Sequence, residues 1–250
     1  MDLNSDLGEG FGPWAMGNDA AMLGLVTSAN IACGGHASDP DTMFATLRLA
    51  ADRGVTIGAH PGYADRLGFG RRVIPMEPDE IARMVAAQVG ALQGVAALAG
   101  ARVAYVKAHG ALANLAADRR EVADAIASAI KALPGNLAIL AISGTELETA
   151  GRAAGLPTYS EIFADRAYLP NGRLVPRARP DAMIHGAANA ADRLLGFLKT
   201  GLMPVIGGDP IPLAAQSICV HGDSVEAVAM AAEIRARLTA AGLPPAPFLT

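Results

Sequence analysis

The feature that most constrains the fold is a repeated pair of patterns: a short, almost continuous apolar run followed by a segment with helical periodicity. Apolar runs of this kind are typical of strands in parallel sheets, because helices cover both faces of such a sheet. The predicted strands are residues 2–4, 28–32, 55–59, 103–107, 137–142, 157–162 and 217–220. The repeat continues without a break in composition, which predicts a single α/β domain over residues 1–250.

The segments between the strands predict helices, since they close at or near Gly or Pro. They are residues 38–53, 80–99, 120–132, 145–154, 187–200 and 225–241. Two stretches depart from the repeat: 168–180 is interpreted as an excursion loop, and 204–212 as a short turn or hairpin. The proline-rich residues 244–250 are expected to lie over the surface or to be partly disordered.

Repeated strand–helix units fold either into a closed barrel or into an open, doubly wound sheet. No G-x-G-x-x-G follows the first strand, so the usual dinucleotide-binding signature is missing. Polar residues instead follow nearly every predicted strand, as they do at the carboxyl end of a barrel. The sequence therefore favours a TIM-like (β/α) barrel, which is distorted or incomplete because it has only about seven strands.

Charge and hydropathy limit the kinds of partner and the cellular compartment that fit this sequence. The formal net charge is −4, which gives no electrostatic case for nucleic-acid binding. Arg, Asp, Gly or Pro interrupt the apolar stretches before they reach the length of a membrane span. The polar N-terminal residues do not resemble a signal peptide, and only two cysteines are present. We therefore expect a cytoplasmic protein without membrane contact or a disulfide framework.

Four of the five histidines share one setting, in which an apolar run precedes the His and small residues follow it. They are His36, His60, His109 and His221. One such histidine is more often a surface or satisfied core residue, but the repetition favours a shared site. Strand ends followed by Gly or Pro are where a barrel presents side chains to a ligand. His185 lies outside this pattern, at a predicted helix start, and is interpreted as a cap or core residue.

Polar residues at the end of the first strand add to this predicted site. Alternation along an extended chain sends Asn4 and Asp6 to one face, and Glu9 follows them. The first and last strands of a closed barrel are neighbours, so we expect Asp6 and Glu9 near His221 and Asp223. Carboxylates beside histidines serve as acid–base pairs or as metal ligands. The alternative is an Asx-turn that caps the following segment.

Charged residues near two other strand ends indicate an anion-binding function. Lys107 precedes His109 by two residues, so both side chains point to the same side if the strand continues that far. An ammonium there could bind a carboxylate or phosphate, unless its stem leads it to solvent. Glu161, Asp165 and Arg166 accompany the end of a further predicted strand, and Arg71 and Arg72 lie in a Gly-rich loop. Either group could clamp an anion, and the alternative for the arginine pair is a solvated loop.

The two cysteines, Cys33 and Cys219, each lie close to a histidine in sequence and are therefore candidates for a zinc site. Their spacings, C-x2-H and C-x-H, fit established zinc patterns poorly. Cysteine also behaves commonly as a small buried hydrophobe. We therefore expect buried thiols rather than a structural zinc ion.

Longer blocks of the sequence resemble a known family. SANIACGGHASDP, GAHPGYADRLGFGRR, KAHGALAN, EIFADRAY and SICVHGD are similar to signature blocks of the LamB/YcsF family and occur in the same order. The resemblance extends from DLNSDLGEG at the start to VHGD near the end. It implies a distorted barrel related to carbohydrate deacetylases and glycoside hydrolases. It also implies ATP-dependent opening of 5-oxoproline (pyroglutamate) to L-glutamate by a 5-oxoprolinase, together with two partner subunits, B and C.

The chain departs from the family pattern in one block. The family usually has K-P-H-G-A-L-Y-N where residues 107–114 read K-A-H-G-A-L-A-N. Loss of the Pro relaxes the strand end, and loss of the Tyr removes a pocket wall or a hydroxyl donor. Both changes bear on substrate preference more than on the class of reaction.

The implied reaction assigns roles to the candidate residues. Asp6 or Glu9 is expected to act as the base for a water molecule. His36, His60 and His109 are expected to polarise or protonate the reacting groups. An Asp6→Asn variant with full activity in the complex would contradict the base assignment.

ATP fits this chemistry, because a five-membered lactam is a stabilised amide whose carbonyl oxygen must be activated. No G-x-x-x-x-G-K-[ST] is present, so phosphate contacts must come from Lys107, arginines and backbone amides, or ATP binds to a partner subunit. The residues expected to bind substrate or phosphate are Asn4, Lys107, Asp165, Arg166 and Asp223.

Two other functions remain open from the residues alone. One is a metal-dependent amide or carbohydrate deacetylase that uses Asp6 with two of the histidines. The other is a non-catalytic subunit whose barrel only binds the ligand. The sequence leaves open whether a divalent metal is bound.

Overall fold

The computed structural model describes residues 1–222 and 226–249. In these residues the strands are β1 (Asp2–Leu7), β2 (Ser28–Ala32), β3 (Thr56–His60), β4 (Val103–Val106), β5 (Ala138–Ile142), β6 (Thr158–Phe163), β7 (Leu202–Met203), β8 (Ile211–Pro212) and β9 (Ser217–Cys219). Strands β1 to β6 and β9 are parallel and close into a barrel, in which β9 pairs with both β6 and β1. The predicted TIM-like barrel is confirmed, with one strand fewer than the usual eight.

The helices lie around this barrel. They are α1 (Asp19–Met22), α2 (Pro40–Asp52), α3 (Pro78–Leu98), α4 (Gly110–Asp118), α5 (Arg120–Ala132), α6 (Glu146–Ala153), α7 (Ala187–Thr200) and α8 (Ala227–Ala240). The six predicted helices are present, although the predicted start of the last one at residue 225 lies outside the described residues. Helices α1 and α4 were not predicted. The first residue of α4, Gly110, has a φ of 52° and resembles a turn residue in the sequence.

Some strands and helices begin or end at other residues than predicted, because polar side chains determine these positions. Strand β1 continues to Leu7, three residues beyond its predicted end, because its polar residues are satisfied inside the barrel. Helix α2 begins at Pro40 rather than at Ser38, since the Asp39 side chain accepts hydrogen bonds from the amides of the first turn. Strand β4 ends at Val106, one residue before its predicted end, so Lys107 lies just beyond the strand.

The irregular segments also take defined positions. Strands β7 and β8 pair antiparallel, which confirms the hairpin predicted over residues 204–212. The proline-rich tail packs on the barrel beside the start of β1, where the Ala246 amide donates to the Met1 carbonyl. In this tail, the Phe248 ring lies 5.0 Å from the Tyr105 ring and 4.8 Å from the Tyr159 ring. The tail therefore covers the amino end of the barrel.

The barrel interior is unusually polar. TIM-barrel interiors are normally filled by branched apolar side chains. Here Asn4, Asn30 and Ser217 are fully buried and hydrogen-bonded to one another inside the barrel. The large apolar core lies instead between the strands and the helices. The interior can therefore hold charged side chains near the carboxyl ends of the strands.

Helix α3 is the one helix of the described residues that is long and apolar enough to cross a membrane, by length and composition alone. Its apolar residues are interrupted by Arg83, Gly90 and Gly94, in line with the sequence prediction of interrupted apolar stretches. One face of α3 packs against the barrel through Ile81, Val85, Val89 and Leu92. Core helices of soluble proteins commonly meet the same criterion.

We predict that Gly58→Ala destabilises the barrel. A Cβ at this position of β3 would overlap the ring of Tyr105, whose hydroxyl donates to Asn30 in the interior. Overpacking of this kind costs roughly 1–3 kcal/mol, which urea unfolding would measure. Gly94→Ala on α3 is the control, because no atom lies within 4 Å of its new methyl group. Equal unfolding free energies of the two variants would contradict the prediction.

Candidate active site

A cavity of about 340 Å³ opens at the carboxyl ends of the barrel strands, a volume at the lower end for small-molecule sites. The titratable side chains in its lining are Asp6, His60, Arg71, Lys107, His109, Glu161, Arg166, Arg177 and His221. The structure thus brings three of the four strand-end histidines together around Asp6. The fourth, His36, stacks on the ring of His109 with a centroid distance of 3.6 Å.

Lys107 directly follows β4, and its ammonium group lies in the middle of the barrel. Its Nζ lies 3.0 Å from Asp6 Oδ1 and 3.1 Å from Glu161 Oε2. The same atom lies 3.3 Å from Asn4 Oδ1 and 3.1 Å from Cys219 Sγ. Since an ammonium group has three donors, these four acceptors engage all of them. This geometry favours a positioning role for Lys107 over the predicted binding of a substrate carboxylate or phosphate.

The pKa values of the two carboxyl groups beside Lys107 are shifted in opposite directions. Burial acts to raise the pKa of Asp6, but His60 and Lys107 outweigh it and hold that pKa well below its usual range. Burial raises the pKa of Glu161, and the nearby Lys107 offsets only part of this effect. Burial acts against the charge of Lys107 as well, yet the surrounding anionic groups hold its pKa well above its usual range. Two carboxyl groups with pKa values shifted in opposite directions are typical of acid–base sites.

Backbone carbonyl groups determine which ring nitrogens of His60 and His109 carry protons. His60 Nδ1 lies 2.8 Å from the Lys107 carbonyl oxygen, and His109 Nε2 lies 2.8 Å from the Phe69 carbonyl oxygen. A carbonyl oxygen only accepts, so both of these nitrogens are donors. The other two nitrogens, His60 Nε2 and His109 Nδ1, lie 3.0 Å apart. Burial and then the neighbouring His60 hold the pKa of His109 well below its usual range.

Glu9 and His36 line a neighbouring groove and approach the same point from the other side. His36 Nε2 lies 3.1 Å from Glu9 Oε1, and its Nδ1 has no partner among the described residues. The ring therefore carries its proton on Nε2 and donates it to Glu9. Glu9 Oε1 lies 3.8 Å from His109 Nδ1.

His221 forms a second ordered group at the cavity wall. Its Nδ1 lies 2.7 Å from Asp165 Oδ2, and the Arg177 guanidinium donates to its Nε2 over 2.9 Å. An arginine cannot accept a hydrogen bond, so the Nε2 atom is unprotonated and the Nδ1 atom donates to Asp165. The predicted proximity of Asp6 to His221 is found, since both belong with Cys219 to one cluster of ligand-type atoms. The predicted Asp223 lies outside the described residues.

Arginines supply the positive side of the cavity. Arg166 is buried, and its terminal nitrogen donates to the Val175 carbonyl, while its Nε has no partner among the described residues. Burial and then the nearby Arg177 lower the pKa of Arg166 to about 10, so its guanidinium remains charged at neutral pH. Arg71 and Arg177 also line the cavity. The arrangement suits a small anion such as a carboxylate or a phosphate.

Sequence reasoning and structure differ on several residues. Arg177 lines the cavity but was not among the candidate residues, whereas Glu161 was noted with Asp165 and Arg166 but received no role in the predicted site. The polar position of Glu161 inside an otherwise apolar strand was the available signal, whereas nothing local marks Arg177. Asn4 is fully buried below the cavity and contacts Lys107, which favours a positioning role over substrate binding. His185 is exposed, so it is not a core residue.

Neither cysteine forms a disulfide, and both are buried as expected. Cys33 lies 3.3 Å from the Ile31 carbonyl oxygen, and burial raises the pKa of its thiol to about 12. The described residues contain two groups with ligand atoms close enough to share a cation. They are Glu9, His36, His60 and His109 in one group, and Asp6, Cys219 and His221 in the other. In the group of Asp6, Cys219 and His221, the Lys107 ammonium already lies between Asp6 and Cys219 and would repel a metal ion.

A barrel with buried titratable side chains at the carboxyl ends of its strands has the architecture shared by barrel enzymes. Within this class, the chain belongs to the LamB/YcsF family, whose model matches residues 1–250. The family resemblance seen in the sequence motifs is thereby confirmed.

Similar proteins share both length and fold with this chain. It is 53% identical over 243 residues to the A subunit of 5-oxoprolinase from Nocardia farcinica, covering 97% of each chain. It is 51% identical over 249 residues to the protein of that name from Rhodopseudomonas palustris, covering 99% of this chain and 98% of the relative. The crystal structure of a lactam utilization protein from Thermus thermophilus matches with a TM-score of 0.92 and 39% identity, covering 98% of both chains.

We predict that Lys107→Met destabilises the protein strongly. The substitution would leave the Asp6 and Glu161 carboxyl groups buried beside each other without their cation. Removing one partner from a buried ion pair costs roughly 3–5 kcal/mol, which urea unfolding would measure. Adding Glu161→Gln should recover part of the loss, since it removes one of the two buried carboxyl groups that lose their contact with the ammonium. A double variant no more stable than the single variant would contradict this explanation.

The Asp165–His221 pair generates a pH-dependent prediction. Burial opposes ionisation, but His221, Arg177 and Arg166 outweigh it and lower the pKa of Asp165 below 3.8. Its ionised form thus stabilises the fold above pH 3.8, and this stabilisation is lost as the pH falls through the lowered pKa. Asp165→Asn should cost about 1–3 kcal/mol in urea unfolding at neutral pH and equally near pH 5. The difference should shrink below pH 3.8; a difference that grows there would refute the assignment.

Proposed function

We propose that this chain is the A subunit of a 5-oxoprolinase, which opens 5-oxoproline to L-glutamate with ATP in a complex with subunits B and C. The observation that carries the proposal is the composition of one small cavity. Its floor holds the oppositely shifted Asp6 and Glu161 carboxyl groups, and its wall holds Arg71, Arg166 and Arg177. The names of the full-length relatives support the same function.

The cavity matches the chemistry of this substrate class. 5-Oxoproline is a small anion that carries a carboxylate beside a five-membered lactam. The arginines would bind the carboxylate, or a phosphate formed during the reaction.

The ring-opening step requires a nucleophile and a proton donor. The oxygen of a water molecule bonds to the lactam carbonyl carbon, the ring C–N bond breaks, and the released nitrogen takes a proton. Asp6 remains ionised and faces the cavity, so it would orient this water beside the acceptor nitrogens of His60 and His109. Glu161, whose pKa is raised, would supply the proton to the leaving nitrogen.

ATP would provide the activation that a stabilised amide needs. Transfer of its γ-phosphoryl group to the carbonyl oxygen makes the ring carbon a better electrophile. The balanced reaction consumes two water molecules, one of which enters the new carboxylate and the other the released phosphate. Since this chain has no Walker-type phosphate loop, we assign ATP binding to the complex rather than to this barrel alone. We expect the complex to work in the cytoplasm, where ATP is available.

The test is glutamate release from 5-oxoproline, measured with this chain alone and with its candidate partner subunits, each with and without ATP. We expect activity only with the complete complex and ATP. Asp6→Asn should lower kcat by at least about 100-fold, the scale for removing a group that acts in the transition state. Asp124→Asn is the matched control, since Asp124 is an exposed carboxylate on α5.

The outcomes distinguish the alternative functions. ATP-independent amide hydrolysis by the chain alone would overturn the proposal in favour of a deacetylase-like hydrolase. Full activity of Asp6→Asn within the complex would remove the catalytic role from this cavity and indicate a subunit that only binds the ligand.

A further inference from the structure

Four acceptor atoms converge beside the cavity. They are His60 Nε2, His109 Nδ1, Glu9 Oε1 and Asp6 Oδ2. We propose that they bind a divalent transition-metal ion of the zinc type, with the two histidine nitrogens and Glu9 as ligands and Asp6 as the adjacent carboxylate.

The proton positions on the two histidines make this arrangement unstable without a cation. The Lys107 and Phe69 carbonyl groups hold the protons of His60 and His109 on the far side of each ring. Without a further proton or a metal ion, two unshared electron pairs would face each other over 3.0 Å. Buried acceptors that face each other cost free energy, so a positive species must lie between them.

A single additional proton would connect only part of this site. A proton on His60 Nε2 could bridge to His109 Nδ1, 3.0 Å away, or to Asp6 Oδ2, 3.3 Å away. It would not reach Glu9 Oε1, which lies 3.8 Å from His109 Nδ1 on the other side. A metal ion interacts with all four atoms at once.

The distances agree with shared coordination. Ligand atoms about 2.1 Å from one ion are about 3.0 to 3.4 Å apart at right or tetrahedral angles. His60 Nε2 and His109 Nδ1 are 3.0 Å apart, His109 Nδ1 and Glu9 Oε1 are 3.8 Å apart, and the adjacent Asp6 Oδ2 lies 3.3 Å from His60 Nε2. Small side-chain movements would bring the longest of them into this range.

The surroundings of the ligands resemble those of metal sites. Metal-binding histidines usually donate their other ring nitrogen to a carbonyl or carboxylate group, which orients the ring. His60 and His109 both do so. The ligating carboxylate is usually hydrogen-bonded as well, and His36 supplies this bond to Glu9. Each of the three proposed ligands, His60, His109 and Glu9, thus has a hydrogen bond that orients it.

The donor types select among metals. Imidazole nitrogens with carboxylate oxygens suit zinc and other late first-row ions, whereas Mg²⁺ prefers oxygen ligands alone. Two carboxylates, Asp6 and Glu9, would offset the charge of the ion. Lys107 lies on the opposite oxygen of Asp6, at Oδ1, and leaves Oδ2 directed to the site.

A bound ion would also affect the proposed ring-opening reaction. This point alone rests on the proposed function. Three protein ligands leave a coordination position for water, and a zinc-type ion lowers the pKa of bound water to about 7. Asp6 and His60 already line the cavity in which the lactam would bind. Metal binding itself is independent of the substrate and of the partner subunits.

The experiment measures metal binding on the full chain without substrate. The protein is stripped with a chelator, dialysed against equimolar Zn²⁺, and analysed by mass spectrometry for bound metal. We expect one Zn²⁺ per chain, a higher unfolding temperature, and no comparable effect of Mg²⁺. His109→Gln and Glu9→Gln should each weaken Zn²⁺ binding by at least about 100-fold, more than the 10–100-fold typical of an outer-sphere partner.

His185→Gln is the matched control, because His185 is exposed and lies away from the predicted strand-end pattern. Circular dichroism checks that each variant is folded, and Glu9→Gln retains the shape of the original side chain. A wild-type chain that takes up no Zn²⁺ would overturn the proposal, as would equal losses in His185→Gln and His109→Gln. Histidine ¹⁵N spectra that show a doubly protonated His60 and do not change with Zn²⁺ would assign the site to a proton instead. Loss of glutamate release with metal binding intact would count against the proposed function alone.

Discussion

The buried ammonium group of Lys107 is the contact on which the carboxyl end of the barrel depends. It follows β4 and reaches Asp6 of β1, Glu161 of β6 and Cys219 of β9. A charge removed from water is tolerated only when opposite charges and hydrogen bonds surround it. The same contacts that stabilise the ammonium therefore connect four of the seven strands from the inside. They also give Asp6 its low pKa and leave Glu161 as the carboxyl group that is harder to ionise.

The polar interior suits the small diameter of the barrel. Seven strands enclose a narrower space than eight, and diameter grows with strand number. Short polar side chains such as those of Asn4, Asn30 and Ser217 can fill this space while they satisfy one another. The aromatic layer of Tyr105 and Phe248 closes the amino end beneath them. The site is thereby placed on a buried, hydrogen-bonded floor, where electrostatic interactions are stronger than in water.

The sequence predicted the barrel and most of the cluster because both depend on local patterns. Alternation along β1 sends Asn4 and Asp6 inward, and the His–Gly and His–Pro pairs mark strand ends. It noted Glu161 but assigned it no role in the site, since the sequence does not show that Lys107 lies opposite this acidic residue. Arg177 could not be predicted either. It reaches His221 from the excursion loop, 44 residues earlier in the chain, and only tertiary structure brings the two together.

The Phe69 carbonyl that orients His109 belongs to a loop rather than to the barrel. Phe69 has a positive φ of 53° and lies between two glycines, and the next residue, Gly70, packs against the His36 side chain and the His109 ring. The tautomer of His109 is thus set by the position of this loop. If the loop withdrew, the His109 proton could move to Nδ1, and an electron-pair donor in the site would become a hydrogen-bond donor. Loop position and the polarity that the site presents to a ligand are therefore coupled through one backbone oxygen.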